Sequence, residues 1–153
     1  MSNRKKIVQK ETSNSKKKVF SENIDPNKYL SKKPTWKFNR CDLSSPKWSI
    51  LDSESFSQDI LSKLISYECM TWAEIQSSSG GKSHGTNSHF ERICDMSKDV
   101  QNRAEYLHLN VDVLFSLRLT GATRLYGILD EGVFNIIWFD KHHEIYPSHK
   151  SHT

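Results

Sequence analysis

The chain has 153 residues, with 22 Lys or Arg against 18 Asp or Glu and 35% hydrophobic residues. That is about one domain's length and enough for a core that needs no disulfide or metal staple. No run nears the ~18 consecutive apolar residues of a membrane span. The charged, polar start also has no apolar signal-peptide core, so a cytoplasmic protein without membrane association is expected.

The net charge of +4 is unevenly placed: residues 1–33 hold ten Lys or Arg and three Asp or Glu, net +7, leaving net −3 in the rest. Basicity is therefore a property of the tail, and the folded part has to be judged on local clusters. The three cysteines, Cys41, Cys69 and Cys94, are odd in number and form no CxxC pair, which argues against a disulfide framework or structural zinc.

Residues 1–33 carry Lys5-Lys6, Lys16-Lys17-Lys18 and Lys32-Lys33 among Ser and Asn. So polar a segment cannot bury enough surface to offset its ordering entropy. A disordered arm is expected, either solvated or acting as an electrostatic arm for RNA or another anion. Residues 34–153 are then one α+β domain.

A first strand is expected around Trp36, Phe38 and Cys41, and Ser44-Ser45-Pro46 signals a turn before Trp48 and Ile50. Phe56, Ile60, Leu61, Leu64 and Ile65 recur at helical spacing, with Asp52 or Ser53 as cap. Thr71-Trp72-Ala73-Glu74 fits a capping box and predicts a second short helix. Residues 77–90, SSSGGKSHGTNSHF, read as a Gly/Ser-rich loop. Ser97 caps a third helix through Val100, Ala104 and Leu107, ending at His108 to Asn110.

The clearest pattern is C-terminal. Residues 113–120, 123–130 and 133–139 are β-prone runs joined by Gly121-Ala122 and Glu131-Gly132, a meander of two hairpins. A last short strand, 144–147, is expected after Lys141-His142-His143. On the first of these strands Phe115, Leu117 and Leu119 share one face, while Ser116, Arg118 and Thr120 share the other. The sheet is expected to put its apolar face on the helices and its polar, aromatic-rich face toward solvent.

Chemistry-bearing groups concentrate in two places. One is the loop with Lys82, His84 and His89, followed by Glu91 and Arg92. The other is the meander, with Arg118, Arg124, Tyr126, Asp140, His142, His143 and Tyr146. Together they offer what attack of a 2′-hydroxyl on a phosphodiester needs. Histidine serves as acid or base near neutral pH. Arginine grips phosphate through two N–H groups, and tyrosine stacks on a base or donates a proton. Each also has a simpler reading, in solvated histidines, arginines paired with acids across the sheet, and Trp138 and Phe134 in the core. Metal ligation by His84 and His89, or by His142, His143 and Asp140, lacks any HExxH or CxxC pattern, so no metal and no cofactor are expected. Gly80-Gly81-Lys82-Ser83 ends like a P-loop, but Gln76 stands where a Walker A needs glycine.

The stretch LFSLRLTGATRLYGI, Leu114 to Ile128, followed by a hydrophobic strand and DKHHEIY ending at Tyr146, resembles the C-terminal part of RelE/YoeB-type toxins of the RelE/ParE superfamily. The resemblance implies helices packed on a small twisted antiparallel meander. It also implies metal-independent cleavage of RNA, usually mRNA on the ribosome, and an antitoxin partner. Residue by residue, Arg124 would match the family's phosphate-contacting arginine, His142 or His143 its C-terminal histidine, and Tyr146 its terminal tyrosine. The family's catalytic glutamate has no aligned counterpart, and Glu91 is a conjecture for it. The lysine-rich arm, the loop with His84 and His89, and PSHKSHT after Tyr146 depart from the family pattern.

The expected function is thus a toxin-type endoribonuclease. Arg124, with Arg118 or Lys82, would hold the phosphate, and a histidine from His84, His89, His142 or His143 would move protons. Tyr146 would orient a base, and Tyr126 would join in substrate binding. The alternative is a non-catalytic RNA- or protein-binding module of the same fold.

Overall fold

The computed structural model of the chain describes residues 25–54, 56–78 and 88–147. Residues 1–24, with most of the lysine-rich arm, and Lys82 and His84 lie outside the described residues. The elements run β1 (Thr35–Lys37), α1 (Ser62–Glu68), α2 (Trp72–Ser77), β2 (His89–Arg92), α3 (Lys98–Tyr106), β3 (Val113–Thr120), β4 (Thr123–Asp130) and β5 (Val133–Asp140).

The fold is mixed α and β, and β3, β4 and β5 form the meander that alternation and short connections predict. Glu131 and Gly132 both take positive φ, 48° and 90°, the backbone of a two-residue turn whose twist matches the strands. Two edge strands complete the sheet, giving the order β1-β5-β4-β3-β2. The whole sheet is not antiparallel, since β1 pairs with β5 in parallel. Its three residues are too few for their sequence to specify a direction.

Both faces of the sheet are covered, and this corrects the expectation of a solvent-facing polar side. Phe115, Leu117, Leu119, Leu125, Phe134 and Phe139 pack with Leu64, Tyr67, Trp72 and Ile75 of α1 and α2. On the opposite face Leu114, Tyr126, Ile137 and Trp138 pack with Val100 and Ala104 of α3 and with Trp48 and Ile145. Alternation along a strand separates two faces but does not say that one is wet; α3 decides that.

The helices start largely where local signals put them. Thr71 accepts from the Glu74 N–H at 3.3 Å while Glu74 Oε2 accepts from the Thr71 N–H at 2.8 Å, the reciprocal box. Ahead of α1 runs a π-helical turn, Phe56–Leu61. The expected cap at Asp52 or Ser53 does not form: the N-cap position of α1 is Leu61, with no side-chain cap hydrogen bond, and the Ser53 hydroxyl has no hydrogen-bond partner in the described structure. The chain leaves α3 through His108 and Asn110, both with positive φ. The expected strand 144–147 does not form. Asp140 accepts from the Glu144 and Ile145 N–H groups at 3.0 and 2.9 Å, and this turns the chain off the sheet.

Residues 25–33, read from sequence as the end of the arm, join the fold. Lys28–Ser31 form a 3-10 turn, Tyr29 meets Phe90 edge-on at 6.1 Å, and the Lys32 carbonyl accepts from Trp72 N–H at 2.9 Å.

Residues 41–49 close the outer edge of β5, with Asp42 N–H donating to Ile137 O and Phe139 N–H to Trp48 O. The buried Asp42 carboxylate accepts from Arg103 Nε and Nη2 at 2.7 and 2.6 Å and from Trp138 Nε1 at 2.9 Å. Burial alone would raise its pKa. The Arg103 and Trp138 hydrogen bonds and the Arg103 charge outweigh burial and hold the carboxyl below its ordinary 3.8. A depressed folded value means that this stabilisation is complete above the unfolded value and is lost as pH falls through the folded one. Asp42→Ala is expected to cost roughly 3 kcal/mol at neutral pH, because it strands a partly buried guanidinium. The difference from wild type should shrink in strong acid. Urea midpoints measured from neutral to acid pH check this, and parallel curves throughout would refute it.

Candidate active site

His89 and Glu91 stand two apart on β2 and therefore project from one face. His89 Nε2 lies 2.8 Å from Glu91 Oε1, and the other oxygen, Oε2, accepts from the Tyr126 hydroxyl at 3.3 Å. The Glu91 side chain is only 6% exposed and the His89 side chain 44%. The carboxylate is thus held by the fold, while the imidazole has a solvent side.

The register continues this polar face across the sheet. His89 is the Cα partner of Ser116, Arg118 of Arg124, and Arg124 of Asp140. The face therefore reads, strand by strand, from a carboxylate–histidine pair on β2 through two arginines on β3 and β4 to Asp140 and its turn after β5. Arg124 is buried, and its Nη1 donates to the Gly121 and Thr123 carbonyls at 2.7 and 3.0 Å. Burial first, and then the Arg118 charge, lower its pKa, and Tyr126, Glu91 and Asp140 counter them. The guanidinium stays protonated.

Arg118 is fixed through its backbone: its N–H donates to Ser88 Oγ at 2.9 Å, and its carbonyl accepts from the Tyr67 hydroxyl at 2.6 Å. Burial raises the pKa of that hydroxyl while the charges of Arg118 and Arg124 lower it, so both cations act on this end of the sheet. Tyr126 is wholly buried. Burial, then the Glu91 charge, push its hydroxyl well above the ordinary range, so it remains a donor to Glu91. A ring enclosed in this way cannot stack on a base, so the substrate-contacting role expected of Tyr126 becomes one of holding Glu91.

The C-terminal histidines lie in the turn that Asp140 folds back. His142 is exposed. His143 takes a left-handed φ of 58°, and its Nδ1 is buried without a hydrogen-bond partner in the described structure. A strained, under-satisfied polar residue is a mark of functional positions. Tyr146, expected to orient a base, is half-buried against the α3 cluster, within electrostatic reach of Arg92. Arg92 is the far end of β2 from His89, which separates Tyr146 from the arginine pair.

Sequence reasoning missed β2 as a strand and with it the pairing of His89 and Glu91. The signal present was the alternation His89-Phe90-Glu91, hidden because the Gly/Ser-rich run seemed to continue through Phe90. Among the described residues no three His, Cys, Asp or Glu side chains converge as metal ligands would. No helix there is long and apolar enough to cross a membrane. Comparison with known proteins returns no match to a family, a curated sequence or a solved structure.

Proposed function

We propose that this face is the active site of a toxin-type endoribonuclease that cleaves RNA, with mRNA the expected substrate, without a metal. A RelE-like relationship, a cytoplasmic location and silencing by an antitoxin protein belong to the same reading.

The observation that carries it is the pair Arg118 and Arg124, Cα partners on adjacent strands, beside a buried carboxylate on the next strand. Two guanidinium groups on adjacent strands of one face are a donor set that suits a phosphate, which a planar fork grips through two N–H groups. The carboxylate and histidine alongside supply the proton chemistry that a bare anion site would not need.

In the reaction so assigned, the scissile phosphate rests on Arg118 and Arg124. Glu91 takes the 2′-hydroxyl proton, assisted by His89, and the 2′-oxygen attacks phosphorus. The arginines stabilise the added negative charge. The bond to the 5′-oxygen breaks, leaving a 2′,3′-cyclic phosphate, and the departing oxygen takes a proton. An in-line displacement wants acid and base on opposite flanks. His143, beyond β5, is on the opposite side of the two arginines from Glu91, and it is the group assigned to give that proton.

The test is cleavage of an RNA oligonucleotide by the purified full-length protein, against the same strand with deoxyribose at the cut site. Cutting should leave 2′,3′-cyclic ends, fail on the deoxy strand, and persist with chelator present. Glu91→Gln keeps the shape but removes the base, and is expected to slow cleavage about 10²–10⁴-fold. A folded protein that binds RNA and leaves it intact is instead a non-catalytic binding module.

A further inference from the structure

Beside Arg118, past the point where β2 ceases to cover the edge of β3, lies a cavity of about 370 Å³. Its walls come from α1 (Lys63 and Tyr67), from the end of α2 (Ser78), from Ser88, and from Arg118 and Thr120 at the top of β3. No carboxylate lines it among the described residues. Lys63 is half-buried, its ammonium 5.0 Å from the centre of the Tyr67 ring, which holds the charge at the cavity instead of out in solvent. Two cations and three aliphatic hydroxyls make a lining suited to an anion rich in acceptor oxygens. They suit a metal cation poorly, because no carboxylate of the described residues is there to neutralise it; the apolar part of the lining comes from Leu119 and the Tyr67 ring.

We infer that this cavity is a subsite for the phosphodiester next to the scissile one, so that the substrate is a single RNA strand extending past the cut and not a dinucleotide. The inference rests on the ribonuclease reading of the arginine face, since Arg118 is shared by the two. Lys63 supplies the charge, and Ser88, whose oxygen accepts from the Arg118 N–H, supplies a hydroxyl donor. Sequence-independent contacts of this kind set position along a strand without reading its bases. The subsite therefore governs the length of RNA required, not the sequence.

The experiment measures binding of uncleavable 2′-O-methyl RNA, a dinucleotide and an octanucleotide, by fluorescence anisotropy over a salt series. It uses the full chain as wild type, Lys63→Glu and Lys63→Gln. The glutamine variant keeps the aliphatic stem on Tyr67, and thermal unfolding verifies that both variants fold. Octanucleotide affinity is expected to fall about tenfold in Lys63→Glu at low salt. In Lys63→Gln its salt slope should drop by about 0.7, the loss of one phosphate contact on a single strand. Dinucleotide binding should be unchanged. Equal losses at both lengths, or none at either, overturn the subsite. Inorganic phosphate binding as tightly as the octanucleotide would assign the cavity to a free anion and also overturn it. Cleavage by Lys63→Gln is scored separately, because it reports on the arginine face: cutting with unchanged length dependence defeats the subsite alone, and no cutting by wild type defeats the nuclease reading.

Discussion

Gly127→Ala is expected to leave little folded protein at ordinary temperature. Gly127 lies inside β4 where the pairing with β5 shifts register, so that Gly127 faces Ile136 while Tyr126 faces Trp138. A Cβ built there would collide with the Asn135 carbonyl oxygen and lie 3.0 Å from the Phe134 ring. Carbonyl and ring belong to the strand next door, so relief requires β4 and β5 to separate, and a change of side-chain rotamer cannot supply it. Overpacking a well-filled core costs about 1–3 kcal/mol. Moving a paired backbone should exceed that range, an appreciable part of the roughly 5–15 kcal/mol that holds a domain folded. The β4–β5 register also sets Arg124 opposite Asp140, so any surviving folded protein should be inactive. Chemical denaturation and the near-ultraviolet signal of the packed tryptophans would measure this. A variant with wild-type stability would mean that the bulge relaxes at no cost.

Arg124→Lys is expected to reduce RNA cleavage about 10²–10³-fold, the scale for removing one preorganised donor to a developing charge. Charge is kept, so a site that needed only a cation would hardly notice. What is lost is the planar fork, in which Nη1 is tied to Gly121 and Thr123 and the remaining N–H groups would serve the phosphate of the proposed site. Those ties give Arg124 a structural share, so the activity has to be read beside an unfolding curve. His143→Ala tests the opposite flank and should reduce cleavage of ordinary RNA. It should restore much of the rate on a strand whose leaving oxygen is replaced by sulfur, which departs without a proton. Equal losses on both strands would remove His143 from the acid role.

The sequence by itself determined the meander, the capping box at Thr71, and the burial of Phe134 and Trp138. Each of these depends on contacts a few residues apart: alternation, a two-residue turn, a hydrogen bond from Thr71 to Glu74. It also marked Arg118, Arg124, His89 and the His142-His143 turn as the groups with chemistry to offer.

The tertiary structure alone decided which of those groups meet. Glu91 and Arg118 are 27 positions apart in the chain, and only the pairing of β2 with β3 sets them on one face. A short strand such as β2 has no period long enough to reveal itself, whereas β1 was legible around Trp36 but not its parallel pairing with β5; a neighbour's open edge recruits both. The burial of Tyr126 and the separation of Tyr146 from the arginines follow from α3 lying across a face that alternation leaves undetermined. A strand's sequence records which side chains point the same way, and what lies above them depends on the rest of the chain.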